Sequence, residues 1–281
     1  MKYLHKSHSG SWNSSGFIIT HLKCIPALIC YLLPLFTLAS CASATERPNI
    51  VVLMADDWSW PHAGALGDKT VKTPTFDRMV NEGVLFERAF VSSPSCTPSR
   101  MAIATGQWHW RLGEAQNLGG SLAKEVPTYA DLLAKTGYHT GFSRKGASPS
   151  KHTYRGTDPF GQRFKDFEAF LSARKKDTPF CFWYGSGAPH RPYFLNSGKT
   201  SGLNTENLVL PPGLPDHSIV RNDLLDYYAT VQVFDLEAST ILDLLKKAGE
   251  LENTLIVMSG DNGMPFPRAK ATLYDTGTRV P

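Results

Sequence analysis

The run Asn49-Ile50-Val51-Val52-Leu53-Met54, continuing into Ala55-Asp56-Asp57, decides the fold. It is a short, β-branched, uninterrupted apolar stretch between polar residues, the pattern of a strand buried on both faces of a parallel sheet. Similar runs recur at 138–142, 179–184 and 254–258. Helical patterns separate them at 74–83, 98–105, 127–136 and 222–248. In the last, Leu224, Tyr228, Val231, Phe234, Ala238, Ile241 and Leu245 recur at about 3.6 residues, and Gly249 supplies the stop. Strands alternating with helices predict an α/β fold, a mostly parallel central sheet with helices on both faces. Residues 146–165 and 194–221, rich in Gly, Pro, Ser and Thr, read as long surface loops.

In such a sheet, ligands gather beyond the carboxyl ends of the strands. Two of those ends carry oxygen donors: Asp56-Asp57 after the first run, and Asp261-Asn262 after the last. Asp and Asn are also ordinary turn residues. Four oxygen ligands at two strand ends nevertheless suit a hard divalent cation, Ca²⁺ in particular. A second signal is Cys96-Thr97-Pro98-Ser99-Arg100, running into Met-Ala-Ile-Ala-Thr-Gly. Pro98 suits the first turn of a helix and Thr97 is a good N-cap. Cys96 then lies at the mouth of a helix N-terminus, a place that lowers thiol pKa and attracts anions. Arg100, one turn in, is placed to fork onto an oxyanion.

The chain has 281 residues, 42% of them hydrophobic, enough for a sizeable core. Its first 41 residues differ from the rest. Lys2, Lys6 and Lys23 precede an apolar run at 25–39, and no acidic residue occurs before Glu46. This reads as an export signal over residues 1–41, since the run is short for a membrane span and Pro26 and Pro34 interrupt it. Leu38-Ala39-Ser40-Cys41 resembles a bacterial lipobox, with Cys41 lipidated, while Ala42-Ser43-Ala44 fits an ordinary cleavage site. Either outcome exports the protein, to the periplasm or to a lipid anchor on a bacterial envelope. The leader holds three of the 29 basic residues and none of the 25 acidic ones, so the remainder nets about +1. No nucleic-acid partner is implied. Past Cys41 only Cys96 and Cys181 remain. Cys181 lies in an apolar run and reads as core, and a catalytic Cys96 excludes a disulfide between them.

Cys96-x-Pro-Ser-Arg, with its hydrophobic turn and Thr105-Gly106, resembles the signature of the type I sulfatases of the alkaline phosphatase superfamily. The resemblance implies that a maturation enzyme oxidises Cys96 to formylglycine. One hydroxyl of its hydrate then attacks sulfur and the other later expels sulfate. It also implies one Ca²⁺ held by Asp56, Asp57, Asp261 and Asn262 together with the side chain at Cys96, with Asp261 taking the attacking proton. Lys145 and Lys270 resemble lysines that contact substrate sulfate, and His190, in Ala-Pro-His-Arg-Pro, resembles the histidine near the leaving-group oxygen. A lone lysine or histidine is ordinarily a solvated or core group, so these roles rest on the resemblance. Two positions depart from the pattern: Ala147, where many sulfatases have a histidine two residues after the lysine, and Ala188, where many have an acid or amide. His152 is displaced too far to replace the former.

The implied activity is hydrolysis of sulfate esters, or sulfamates, on a carbohydrate. The Lys-Gly and Pro-His-Arg-Pro context resembles the N-sulfoglucosamine hydrolase branch. Two alternatives stand beside it: a phosphonate monoester or phosphodiester hydrolase of the same superfamily, and a non-catalytic, lipid-tethered, glycan-binding relic. Family members continue beyond the Gly-Thr-Arg-Val-Pro segment at 277–281 into a smaller C-terminal subdomain that helps wall the pocket. Residues 46–281 are therefore expected to be an N-terminal catalytic domain, truncated and lacking that subdomain.

Overall fold

The structure is a computed structural model that describes residues 47–281; the leader and Cys41 lie outside the described residues. Five strands form one sheet: β1 (Asn49–Ala55), β2 (His139–Arg144), β3 (Gln162–Phe164), β4 (Phe180–Gly185) and β5 (Thr254–Gly260). Their order is β3-β2-β4-β1-β5 and each pairing is parallel. Four of them are the runs read from the sequence. The fifth, β3, lies inside a stretch expected to be loop. It is three residues long, sits at an edge and leaves Gln162 and Arg163 exposed, so it carries no apolar signature.

The helices are α1 (Pro74–Glu82), α2 (Cys96–Thr105), α3 (Tyr129–Lys135), α4 (Phe167–Ala173), α5 (Ser197–Thr200), α6 (Ser218–Lys247) and α7 (Asp275–Thr278). Of these, α4, α5 and α7 were not expected. They are seven residues or shorter, and so offer little periodicity to read. The long helix α6 begins four residues before its expected start. His217 caps it, with Nδ1 accepting from the Ile219 backbone N–H at 3.2 Å. Among the described residues no helix is long and apolar enough to cross a membrane.

The uninterrupted apolar character of β1 has the expected cause. Val51 and Leu53 face one side of the sheet, packing with Phe182 of β4, Phe167 and Phe170 of α4, and Leu224, Val231 and Phe234 of α6. Val52 and Met54 face the other, against Met101 and Ala104 of α2, Trp183 of β4 and Phe160. Each such side chain taken out of water contributes about 1.5–3 kcal/mol. Helices thus cover both faces, and β1 is held where its carboxyl end opens onto the site.

Candidate active site

Strand register brings the two acidic loops together. Ala55 of β1 is paired with Gly260 of β5, so Asp56 and Asp261 leave adjacent parallel strands side by side. The Asp261 N–H donates to the Ala55 carbonyl at 3.1 Å. Asp57 then turns left-handed (φ 76°), and its N–H donates to Asp261 Oδ1 at 2.9 Å. Asp and Asn tolerate that backbone region better than most residues. Asn262 Nδ2 donates to Asp57 Oδ1 at 2.8 Å. Asp56, Asp57, Asp261 and Asn262 are all buried, at 0–2% exposure.

Helix α2 carries Cys96 into this cluster. Its N-cap is Ser95 rather than the expected Thr97, and Cys96 is its first residue. The backbone turns helical two residues early because the Ser99 N–H already reaches the Ser95 carbonyl at 3.0 Å, while Thr97 Oγ1 is used elsewhere, accepting from Gly119 N–H. Cys96 Sγ lies 3.4 Å from Asp56 Oδ1 and 4.0 Å from Asp57 Oδ1. Cys96 and Cys181 are both buried free thiols. One turn on, Arg100 is fully buried. Its Nε donates to Asp261 Oδ2 at 2.7 Å, and its Nη1 donates to the carbonyls of Lys145 and Gly146. Its Nη2 has no hydrogen-bond partner and lies 3.8 Å from Asp56 Oδ1.

Both lysines reach the cluster. Lys145 follows β2 after a left-handed turn at Arg144 (φ 60°), and its Nζ donates to Asp56 Oδ2 at 2.5 Å. Its carbonyl passes so close to Gly185 that a Cβ there would lie 1.7 Å from it. Lys270 Nζ donates to Asp57 Oδ2 at 2.8 Å and lies 3.4 Å from Cys96 Sγ. The Ala271 N–H anchors this segment to the Pro94 carbonyl, just before α2. His190 is the most open member, with a side chain 42% exposed and Nε2 3.8 Å from Asp57 Oδ2. The loop bearing it is tied to the site by Asp56 N–H, which donates to the Ala188 carbonyl at 2.9 Å. Asp56, Asp57, Arg100, Lys145, His190, Asp261, Asn262 and Lys270 therefore meet in one cluster around Cys96. His152 does not: it lies 3.3 Å from Asp158, whose carboxylate also accepts from the Ala147 N–H.

The electrostatics reverse one expectation. The helix N-terminus does not activate the thiol: burial, then the carboxylates of Asp261 and Asp56, push Cys96 up to about 12, against the pull of Lys145. Burial also raises the Asp261 carboxyl, with Arg100 opposing it. For Lys270, burial is the largest influence and disfavours the charge, but Asp57, Cys96 and Asp56 together outweigh it, so its pKa is raised. One carboxylate oxygen from each of Asp56, Asp57 and Asp261 lies within 4.8 Å of the others, and Asn262 Oδ1 is buried without a partner. Three crowded carboxylates plus an unsatisfied amide oxygen form an all-oxygen donor set, which fits calcium.

The sequence did not reveal what supports these groups. Ser59 Oγ donates to the Thr276 carbonyl and accepts from the Met264 N–H, stitching three site loops together. The Arg191 guanidinium lies 4.6 Å from the Tyr193 ring centre and 4.7 Å from that of Phe266, and it pairs with Asp223 of α6. Its Nε donates to the Pro265 carbonyl. Position next to His190 was the only available hint, since Asp223 is 32 residues away.

Sheet, helices and buried carboxylate–cation centre together define an α/β protein of alkaline phosphatase-like architecture, a fold shared with solved structures that include the PsFucS1 sulfatase from Pseudoalteromonas sp.. The chain belongs to the sulfatase family, whose model matches residues 48–163 and 161–281. It is 29% identical over 281 residues to an ulvan-active sulfatase of Formosa agariphila, covering 84% of this chain and 47% of that protein. It is 27% identical to the human N-sulphoglucosamine sulphohydrolase, covering 84% of this chain and 54% of that protein. Among solved structures, the phosphonate monoester hydrolase of Agrobacterium radiobacter shares the fold at a TM-score of 0.60 and 16% identity, covering 84% of this chain and 67% of that one. The chain thus spans about half the length of the curated relatives it matches.

Proposed function

We propose that residues 46–281 are a catalytic domain that hydrolyses sulfate esters, or sulfamates, on a carbohydrate, with Cys96 converted to formylglycine and one Ca²⁺ bound beside it. The observation that carries this reading is the convergence of three carboxylates, an unpartnered amide oxygen, Arg100, two lysines and His190 on the side chain at 96. Names of relatives that act on ulvan and N-sulphoglucosamine support a sulfated carbohydrate as substrate. The same reading takes residues 1–41 as an export signal with Cys41 either lipidated or removed, and it needs a formylglycine-generating partner.

Asp56, Asp57, Asp261 and Asn262 would hold the calcium. When present, the ion neutralises anionic substrate oxygens and the aldehyde hydrate supplies a hydroxyl nucleophile. The unconverted thiol is unsuited to that work, because at a pKa of about 12 almost none of it is thiolate near neutral pH. Lys145 and Lys270 bring two ammonium groups to the rim of the cluster, where sulfate oxygens would replace part of their carboxylate contacts. Asp261, its carboxyl raised by burial, is suited to take the proton of the attacking hydroxyl. His190 is turned so that Nδ1 meets the Arg191 carbonyl and Nε2 faces the site. As an imidazolium it would give the Nε2 proton to the departing oxygen.

The phosphonate monoester hydrolase neighbour motivates the second reading, a phosphodiester or phosphonate ester substrate. Parallel assays with aryl sulfate and aryl phosphodiester separate the two, using protein whose peptide mass across 92–100 shows conversion. Faster sulfate turnover, lost in Cys96→Ala, is expected. Faster phosphodiester turnover supports the second reading, and an undiminished rate in Cys96→Ala removes residue 96 as nucleophile.

A further inference from the structure

Cys96, His190 and Asp56 form a second donor set within the cluster, and its chemistry is not that of a calcium site. A sulfur, an imidazole nitrogen and a carboxylate oxygen from these three residues lie within 4.8 Å of one another. The distance from Sγ to Asp56 Oδ1 is 3.4 Å. A tetrahedral zinc ion, with bonds of about 2.3 Å to sulfur and about 2.0 Å to oxygen, requires about 3.5 Å between those two ligands. Sulfur and oxygen are therefore spaced as ligands of one such ion. Asp56 is oriented for it, because Lys145 occupies Oδ2 and leaves Oδ1 facing the sulfur.

The imidazole is prepared as well. His190 Nδ1 meets the Arg191 carbonyl at 2.5 Å, and a carbonyl only accepts, so this contact uses an Nδ1 hydrogen and leaves Nε2 as the ring nitrogen turned to the site. A backbone carbonyl on the far ring nitrogen is the usual way a ligating histidine is oriented. The side chain is 42% exposed, which leaves it free to close a short gap.

We propose that the chain with Cys96 unconverted binds a borderline-soft divalent cation, zinc above all, through Cys96 Sγ, His190 Nε2 and Asp56 Oδ1, with a fourth position open. On binding, the S–H bond breaks, the sulfur–metal bond forms and the proton leaves to water. Lys270 gives up its contact with Sγ and keeps the one to Asp57. Thiolate and imidazole favour zinc, whereas calcium takes oxygen ligands. Conversion of the thiol would thus abolish the soft site and leave the hard one. Nothing in this depends on the hydrolase reading, since it concerns the thiol form alone.

The test uses the full chain produced without a maturation enzyme, its intact thiol verified by peptide mass across 92–100. It is titrated with Co²⁺ and then Zn²⁺. The expected result is a near-ultraviolet thiolate-to-cobalt charge-transfer band that zinc bleaches and that Cys96→Ser lacks. Zinc affinity should fall at least about tenfold in His190→Ala. Circular dichroism checks that each variant is folded; should Cys96→Ser unfold, His190→Ala, at an exposed side chain, decides alone. No band in the parent chain, a band surviving in folded Cys96→Ser, or zinc affinity unchanged in His190→Ala would each overturn the proposal.

Discussion

Arg100 links the helix, both acidic loops and the end of β2, and all of this is done by one fully buried guanidinium. Removing it takes from the buried Asp261 carboxylate its closest cation. Breaking a buried pair from one side costs about 3–5 kcal/mol. Arg100→Ala is therefore expected to lower the urea unfolding free energy by about that amount, and a loss below about 1 kcal/mol would show that Asp261 had found another partner. Arg100→Lys should recover part of the loss, but not the bonds to the Lys145 and Gly146 carbonyls, which need the planar fork. At this scale the sequence was informative wherever chemistry fixes the residue type: Asp56, Asp57, Asp261 and Asn262 stand at strand ends, where oxygen donors belong. It failed on the Cys96 thiol. A helix N-terminus is visible in a sequence, but three carboxylates folding over it from both ends of the chain are not.

The elements show the same division. Four strands were legible because burial on both faces demands unbroken apolar runs, and β3 was not, because an exposed edge of three residues needs none. The start of α2 was misplaced by two residues because Pro98 fits either the first or the third helical position and only backbone geometry distinguishes them. Two substitutions separate strand-end geometry from ordinary helix stability. In Gly185→Ala the new Cβ would lie 1.7 Å from the Lys145 carbonyl, which is backbone and cannot swing aside. Overpacking of this kind costs about 1–3 kcal/mol or more. It should also move Lys145 away from Asp56, so both thermal stability and turnover of the converted enzyme are expected to fall. Thr128→Ala is the contrast. It removes the reciprocal cap between Thr128 and Asp131 at the start of α3 and should cost about 1 kcal/mol, with turnover per folded molecule unchanged. Equal losses of turnover in the two variants would mean that general destabilisation, rather than the position of Lys145, controls the site.

For the whole molecule, the alternation of strands and helices was enough to predict the parallel sheet, since β-α-β connections admit few other arrangements. What it did not reveal is how the loop after β1 is fastened to α6, and there His62 is central. It is 3% exposed, its ring meets those of Tyr227 and Tyr228 edge-on at 5.5 and 5.2 Å, and its Nδ1 pairs with the Tyr227 hydroxyl at 3.3 Å. Burial lowers its pKa from 6.5 to about 4, against the opposing pull of Asp68. Between those two values the unfolded chain binds a proton that the folded chain refuses, so the unfolded state gains as pH falls. Stability from this group is thus complete above pH 6.5, declines as pH drops towards about 4, and changes no further below that. The interval corresponds to roughly 3 kcal/mol. Urea unfolding from about pH 7 to about pH 4 should therefore show a steeper loss in the parent chain than in His62→Gln, which keeps a polar partner for Tyr227 but does not titrate. Parallel curves for the two proteins across that window would assign the acid sensitivity to carboxylates elsewhere in the fold.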